Sequence, residues 1–195
     1  PVLVSGVEDP ELGTVDIHVT SDQPKAEDYR LCWIVTDARG REMVSGEKSI
    51  RMAKQSSRRV HTLRLKSLVE ERGGRDTLVW LELSHADFLV SENLVTFARP
   101  KHLELSQSPA VTVDVEKRAD SSFAVTLRSS AVALWAWIEL SESDLRAEDN
   151  FFHLRPGSSR TIVVTPRERL NLKQFSEQLR VRSLVDLSQD QIAAG

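Results

Sequence analysis

Four carboxylates crowd a short stretch of this chain: Glu142, Asp144, Glu148 and Asp149. Acids so close in sequence could work as an acid and a base, or could hold a cation. A calcium loop, however, needs alternating acids and a turn glycine, and both are missing here. The plainer reading is a solvated loop between two strands. Just upstream, Trp135 and Trp137 alternate with Leu134, Ala136, Ile138 and Leu140. Alternate residues of a strand share a face. If the aliphatic set faces a core, the two indoles face outward, and that much ring surface asks for a partner. A stacked sugar, a neighbouring domain, or a core of the opposite sense would each account for them. Trp135 and Trp137 are therefore the candidate ligand-binding residues.

Other chemistry finds little support. The histidines are His18, His61, His85, His102 and His153, and no two have the spacing that zinc sites prefer. No Gly-x-Ser-x-Gly elbow and no glycine-rich phosphate loop occur. Cys32 is the single cysteine, so no internal disulfide can form. It lies in the apolar run Leu31-Cys32-Trp33-Ile34-Val35 and reads as a small buried hydrophobe. Arg58-Arg59, Arg167-Arg169 and Arg180-Arg182 read as wet strand faces with ion pairs. The expectation is no catalytic residue, no metal site and no cofactor within the chain.

The elements that hold these residues are strands. Val15, Ile17 and Val19 alternate with Asp16, His18 and Thr20, a period of two with one wet face. Tyr29 to Thr36 is apolar on both faces beyond Arg30, as a central strand would be. Further strands are expected at Glu42–Ser45, Arg58–Leu65, Thr77–Ser84 and Phe88–Ala98, with a lead-in segment at Pro1–Leu12. Pro100 and Pro109 bracket a polar junction, because proline cannot serve a central ladder. The second half repeats the style. Val111, Val113 and Val115 alternate, then Phe123, Val125 and Leu127, then the tryptophan strand Ala133–Leu140. Asp149-Asn150 reads as a turn, Phe151, Phe152 and Leu154 as an apolar plug, and Pro156-Gly157 as a second turn. Arg160–Thr165 is β-branched and reads as a strand. Pro166–Gln178 reads as a loop, Leu179, Val181 and Leu184 as the closing strand, and Gln189–Gly195 as a frayed tail. The fold expected is all-β, two tandem immunoglobulin-like β-sandwich domains, over 1–100 and 101–195.

Composition agrees with that reading. Apolar residues make up 40% and charged residues 28%, as in globular rather than disordered chains. The net charge of -3 makes nucleic acid and anionic membranes poor partners. No apolar run is long enough for a spanning helix. No signal peptide is visible, and the chain starts at Pro1, which reads as a fragment of something longer.

Three stretches resemble the C-terminal region of β-mannosidases of glycoside hydrolase family two. Asp149-Asn150-Phe151-Phe152, then Leu154 and Pro156-Gly157, is similar to that family's Asp-Asn-aromatic-Phe signature before a strand. Pro100-Lys101-His102-Leu103-Glu104-Leu105 resembles its junction between sandwiches, and Leu179-x-Val181-x-Ser183-Leu184-x-Asp186 its closing strand. Ser158 and His153 depart from the pattern, which leaves a sister exo-β-glucosaminidase open. The resemblance implies sandwiches that pack against a catalytic barrel elsewhere in the parent enzyme. That enzyme would remove terminal β-mannose from oligosaccharides with retention, and a secreted or periplasmic location would follow. Retention needs two carboxyl groups about 5 Å apart. In the family both belong to the barrel, so this chain alone should be inactive.

Overall fold

The computed structural model describes residues 1–187. The expected frayed tail lies outside the described residues. The chain divides into two compact units, Pro1–Glu104 and Leu105–Gly195.

The first unit is a sandwich. Its strands are β1 (Val2–Asp9), β2 (Thr14–Ser21), β3 (Glu27–Thr36), β4 (Glu42–Met52), β5 (Ser56–Arg64), β6 (Leu78–His85) and β7 (Phe88–Thr96). One sheet has the order β1-β2-β5 and the other β4-β3-β6-β7. The core lies between them. Val15, Ile17 and Val19 of β2 meet Leu31 and Val35 of β3 and Val79, Leu81 and Leu83 of β6. Each set repeats every second residue, so the period that marks the strand also selects its buried face.

Several expectations need correction here. The lead-in is itself the strand β1, paired with β2 from Val2↔Ser21 to Asp9↔Thr14. Val2 and Val4 turn inward, but Leu3 and Val7 on the opposite face are also apolar, which blurs the alternation. Strand β4 runs well past Ser45, because Ile50 and Met52 reach the core beyond its polar middle. A short helix, α1 (Lys66–Arg72), follows β5, with Leu68 and Val69 against the core. Cys32 is half-buried rather than a core residue. Leu31 and Val35 take the inner face of β3, so Cys32 falls on the outer one. Partial burial still pushes its thiol pKa up.

Trp33 closes the side of this sandwich. Its indole stacks on His61 with ring centroids 4.6 Å apart. Gly46, paired with Trp33 across the sheet, leaves the space for it: a Cβ there would stand 2.4 Å from the indole. The burial of His61 pushes its pKa below 6.5, and the nearby Lys48 and Arg64 cations add to this. The native state therefore favours the neutral ring. Its contribution is fully present above pH 6.5 and is lost as pH falls from there through the lowered native value. Denaturant midpoints across that window should fall less steeply for His61→Gln than for the parent chain. Parallel curves would count against this reading.

The second unit holds β8 (Val111–Lys117), β9 (Phe123–Ser129), β10 (Ala133–Leu140), β11 (Leu145–Ala147), β12 (Phe152–Leu154), β13 (Ser159–Pro166) and β14 (Leu179–Arg182). The sheets are β11-β13-β9-β8 and β12-β10-β14. Between them lie Phe123, Val125, Leu127, Ala136, Ile138, Phe152, Leu154, Ile162 and Val164. The expected loop at Pro166–Gln178 contains a helix, α2 (Leu172–Gln178). A capping box starts it: the Asn171 side chain accepts from the Gln174 backbone N–H, and the Gln174 side chain accepts from Asn171. Phe175 is its buried residue and drops into the core.

Candidate functional site

The tryptophan strand is not straight. Its pairing with β12 shifts register between Ala133 and Ala136, and Trp135 sits there at φ 47. A bulge moves the alternation by one residue. Accordingly Ala133 faces the core before it, and Ala136, Ile138 and Leu140 after it. The core therefore has the sense expected for Ala136, Ile138 and Leu140, while Leu134 falls inside the bulge.

Trp135 and Trp137 are both half-buried. His153 lies between the core residues Phe152 and Leu154 and so points away from the core. The Trp135 ring meets it edge-on at 5.0 Å, and the Trp135 backbone N–H donates to its Nδ1 at 3.1 Å. Trp137 lies beside Phe151, centroids 5.9 Å apart and planes inclined by 30°. Its Nε1–H donates to Glu139 Oε2 at 3.2 Å, and Glu139 Oε1 takes Arg182 Nε at 2.9 Å. The outer face of β12-β10-β14 thus carries an aromatic set with a carboxylate–guanidinium pair beside it. Rings offer a flat apolar surface, and the charged pair offers hydrogen bonds.

Asn150 fixes this face. Its Oδ1 accepts the Ile138 N–H at 2.8 Å, and its Nδ2 donates to the Ile138 carbonyl at 3.2 Å. One side chain thereby satisfies both backbone groups of Ile138 beyond the Ala136↔Phe152 pair. Asp149 accepts the Asn150 N–H and binds the Arg160 guanidinium, which also lies over the Phe152 ring at 5.2 Å. The expected plug splits: Phe152 and Leu154 enter the core, but Phe151 is 61% exposed at φ 65. Sequence reasoning paired the tryptophans but missed Phe151, His153 and Glu139 as members of their face. The Phe152/Leu154 alternation was the available signal, since it sends His153 outward.

The four acids do not converge. Glu142 and Asp144 line an open depression with Arg167 and Glu168, whereas Asp149 is held by Arg160. A cleft of about 910 Å³ between β8, α2 and β14 is lined by Val111, Val113, Val115, Leu172, Leu179 and Val181. Its carboxylates are engaged: Asp114 with Arg128, and Asp186 with the Ser183 N–H and hydroxyl. Among the described residues, no group of three or more His, Cys, Asp and Glu is placed to hold a metal ion.

Residues 13–102 match the family model of the mannosidase Ig/CBM-like domain, and residues 105–187 match an Ig-fold domain model named for mannosidases. The chain belongs to the mannosidase immunoglobulin-like domains. These domains occur in larger glycoside hydrolases of known structure. A β-D-mannosidase from Dictyoglomus thermophilum superposes with a TM-score of 0.76 at 20% identity, over 94% of this chain and 21% of that one. An exo-chitosanase from Amycolatopsis orientalis superposes with a TM-score of 0.63 at 14% identity, over 94% of this chain and 25% of that one. At such identities the likeness is one of fold. This chain spans about a fifth to a quarter of those proteins. No curated protein sequence matches it.

Proposed function

We propose that the chain forms the non-catalytic C-terminal domains of a β-mannosidase-like retaining glycoside hydrolase. The parent would remove terminal β-D-mannose from oligosaccharides. These sandwiches would pack against its catalytic barrel and stiffen it, and the barrel would hold the substrate. The tandem mannosidase-type domains over 13–102 and 105–187 carry this reading. The scattered acids support it, because retention needs two carboxyl groups about 5 Å apart. An exo-β-glucosaminidase parent is the variant that the exo-chitosanase neighbour supports.

A second reading rests on the outer face of β12-β10-β14. Trp135 and Trp137, with Phe151 beside them, would stack on a pyranose, and Glu139 and Arg182 would meet its hydroxyls. One experiment tests both readings. The chain is incubated with an aryl β-mannoside and titrated with manno-oligosaccharides under tryptophan fluorescence. The expected outcome is no release of the aryl group, and turnover would end the first reading. A saturable shift lost in Trp137→Ala would support the second, and a flat titration at millimolar sugar would end it.

A further inference from the structure

We propose that the tip of the β6–β7 hairpin, Phe88-Leu89-Val90, docks into the domain that precedes Pro1 in the longer polypeptide. The inference rests on the reading that the chain belongs to such a polypeptide. Phe88 is 77% exposed, Leu89 53% and Val90 40%, three apolar residues in a row. Single exposed apolar residues are ordinary, but a contiguous run at the end of a hairpin is a contact surface waiting for cover.

The tip is held stiffly. His85 pairs directly with Phe88, so only Ala86 and Asp87 make the turn, and both have positive φ. Positive φ at both central residues is the geometry of the tightest hairpins, here reached without glycine. The strand below is braced on β3. His85 Nδ1 lies 3.0 Å from the Asp28 carbonyl, its ring packs 5.3 Å from Tyr29, and Arg30 reaches Asp87 at 3.8 Å. Register also shifts between Leu83 and Ser84: Leu83 pairs with Ser91 and Ser84 with Leu89, leaving Val90 as the extra residue. That bulge is what brings three consecutive apolar side chains into the open.

The place of the tip in the fold identifies its occupant. Strand β1 runs alongside β7 in the same direction. The Val4 N–H donates to Ser91 Oγ at 3.0 Å, and the Gly6 N–H to Asn93 Oδ1 at 3.1 Å. Following that register back sets Pro1 and Val2 level with Phe88 and Leu89. Whatever is joined at Pro1 therefore meets the tip first, at the high effective concentration of a tethered partner. The related mannosidase carries most of its length outside the matched region, so a body large enough to hold a recess is available. Strand addition is the poorer mode at this edge, because β1 already caps the β7 side chains. A projecting knob entering a recess fits better.

The test uses the full-length protein. Hydroxyl-radical labelling of Phe88 and Leu89 should drop to the level of the buried Phe123 and Leu127, at all protein concentrations. Labelling as in an unfolded peptide would overturn the proposal. Protection that disappears on dilution would assign the tip to a second copy and overturn it as well. Phe88→Ser with Leu89→Ser should split one thermal transition of the full-length protein into two. Both residues lie outside the core cluster, so the first unit itself should keep its fold. An unchanged thermogram counts against the proposal. If the gene encodes no barrel-sized domain before Pro1, the reading of function fails first. If it does and Phe88 is freely labelled, only the docking fails.

Discussion

Phe175→Ala will remove about 3–5 kcal/mol from the stability of the second unit, the range for emptying a buried phenylalanine site. Phe175 and Phe123 are both 0% exposed, with rings 3.9 Å apart and nearly parallel at 7°. Two consequences follow from losing the ring. A cavity opens against Phe123, and α2 loses its one buried anchor. A helix of 7 residues has no stability of its own in water, so the anchor decides whether it forms. The Asn171–Gln174 capping box contributes, but such caps are worth only about 1 kcal/mol. Phe123→Ala should cost a similar amount, since it faces the same partner from β9. The double variant should lose less than the sum of the singles, by about 0.5–1.5 kcal/mol for the ring pair plus the shared cavity. Denaturant unfolding followed by far-ultraviolet circular dichroism reads all four proteins. A loss below about 1 kcal/mol for Phe175→Ala would mean the ring is not a core element.

The same helix shows where the sequence was silent. Strands β2, β3, β6 and β9 were legible because each buries one face, and burial writes a period of two into residue type. Helix α2 buries a single residue, and Leu172 is 43% exposed, so no stripe of period 3.6 is present to be read. Its real signal was the Asn-x-x-Gln cap. Helix α1 has no fully buried residue at all and left even less trace. The candidate face was half legible for a related reason. Alternation sends Trp137 outward correctly. The bulge at Trp135 was hidden because Ala133, Leu134 and Ala136 are all apolar, so a shift of one residue leaves the pattern unchanged. Phe151 was grouped with Phe152 because composition does not reveal a positive φ.

Asn150→Ala should cost about 2–4 kcal/mol, because two backbone groups of a central strand lose their partner together and each unsatisfied group is worth roughly 1–3. Alanine leaves the Ile138 N–H and carbonyl facing an empty space the size of an amide. Ile138 is 2% exposed, so water reaches those groups poorly. Asn150→Asp separates the two bonds. The introduced carboxylate can still accept the Ile138 N–H, but it sets a second oxygen against the Ile138 carbonyl, where Nδ2 now donates. Repulsion there raises the pKa of the new acid in the folded state. The variant should therefore be damaged at neutral pH and should recover ground on the parent chain as pH falls and the acid protonates into a donor. Asn150 also stands between Asp149 and Phe151 and bonds the residue beside Trp137, so its loss loosens the aromatic face. Hydrogen exchange at the Ile138 amide reports the bond directly, and tryptophan emission reports the face. If that amide stays protected in Asn150→Ala and stability moves by less than about 0.5 kcal/mol, the backbone is satisfied by other means. The asparagine would then be only a turn residue, and the order of the Trp137–Phe151 pair would need another cause.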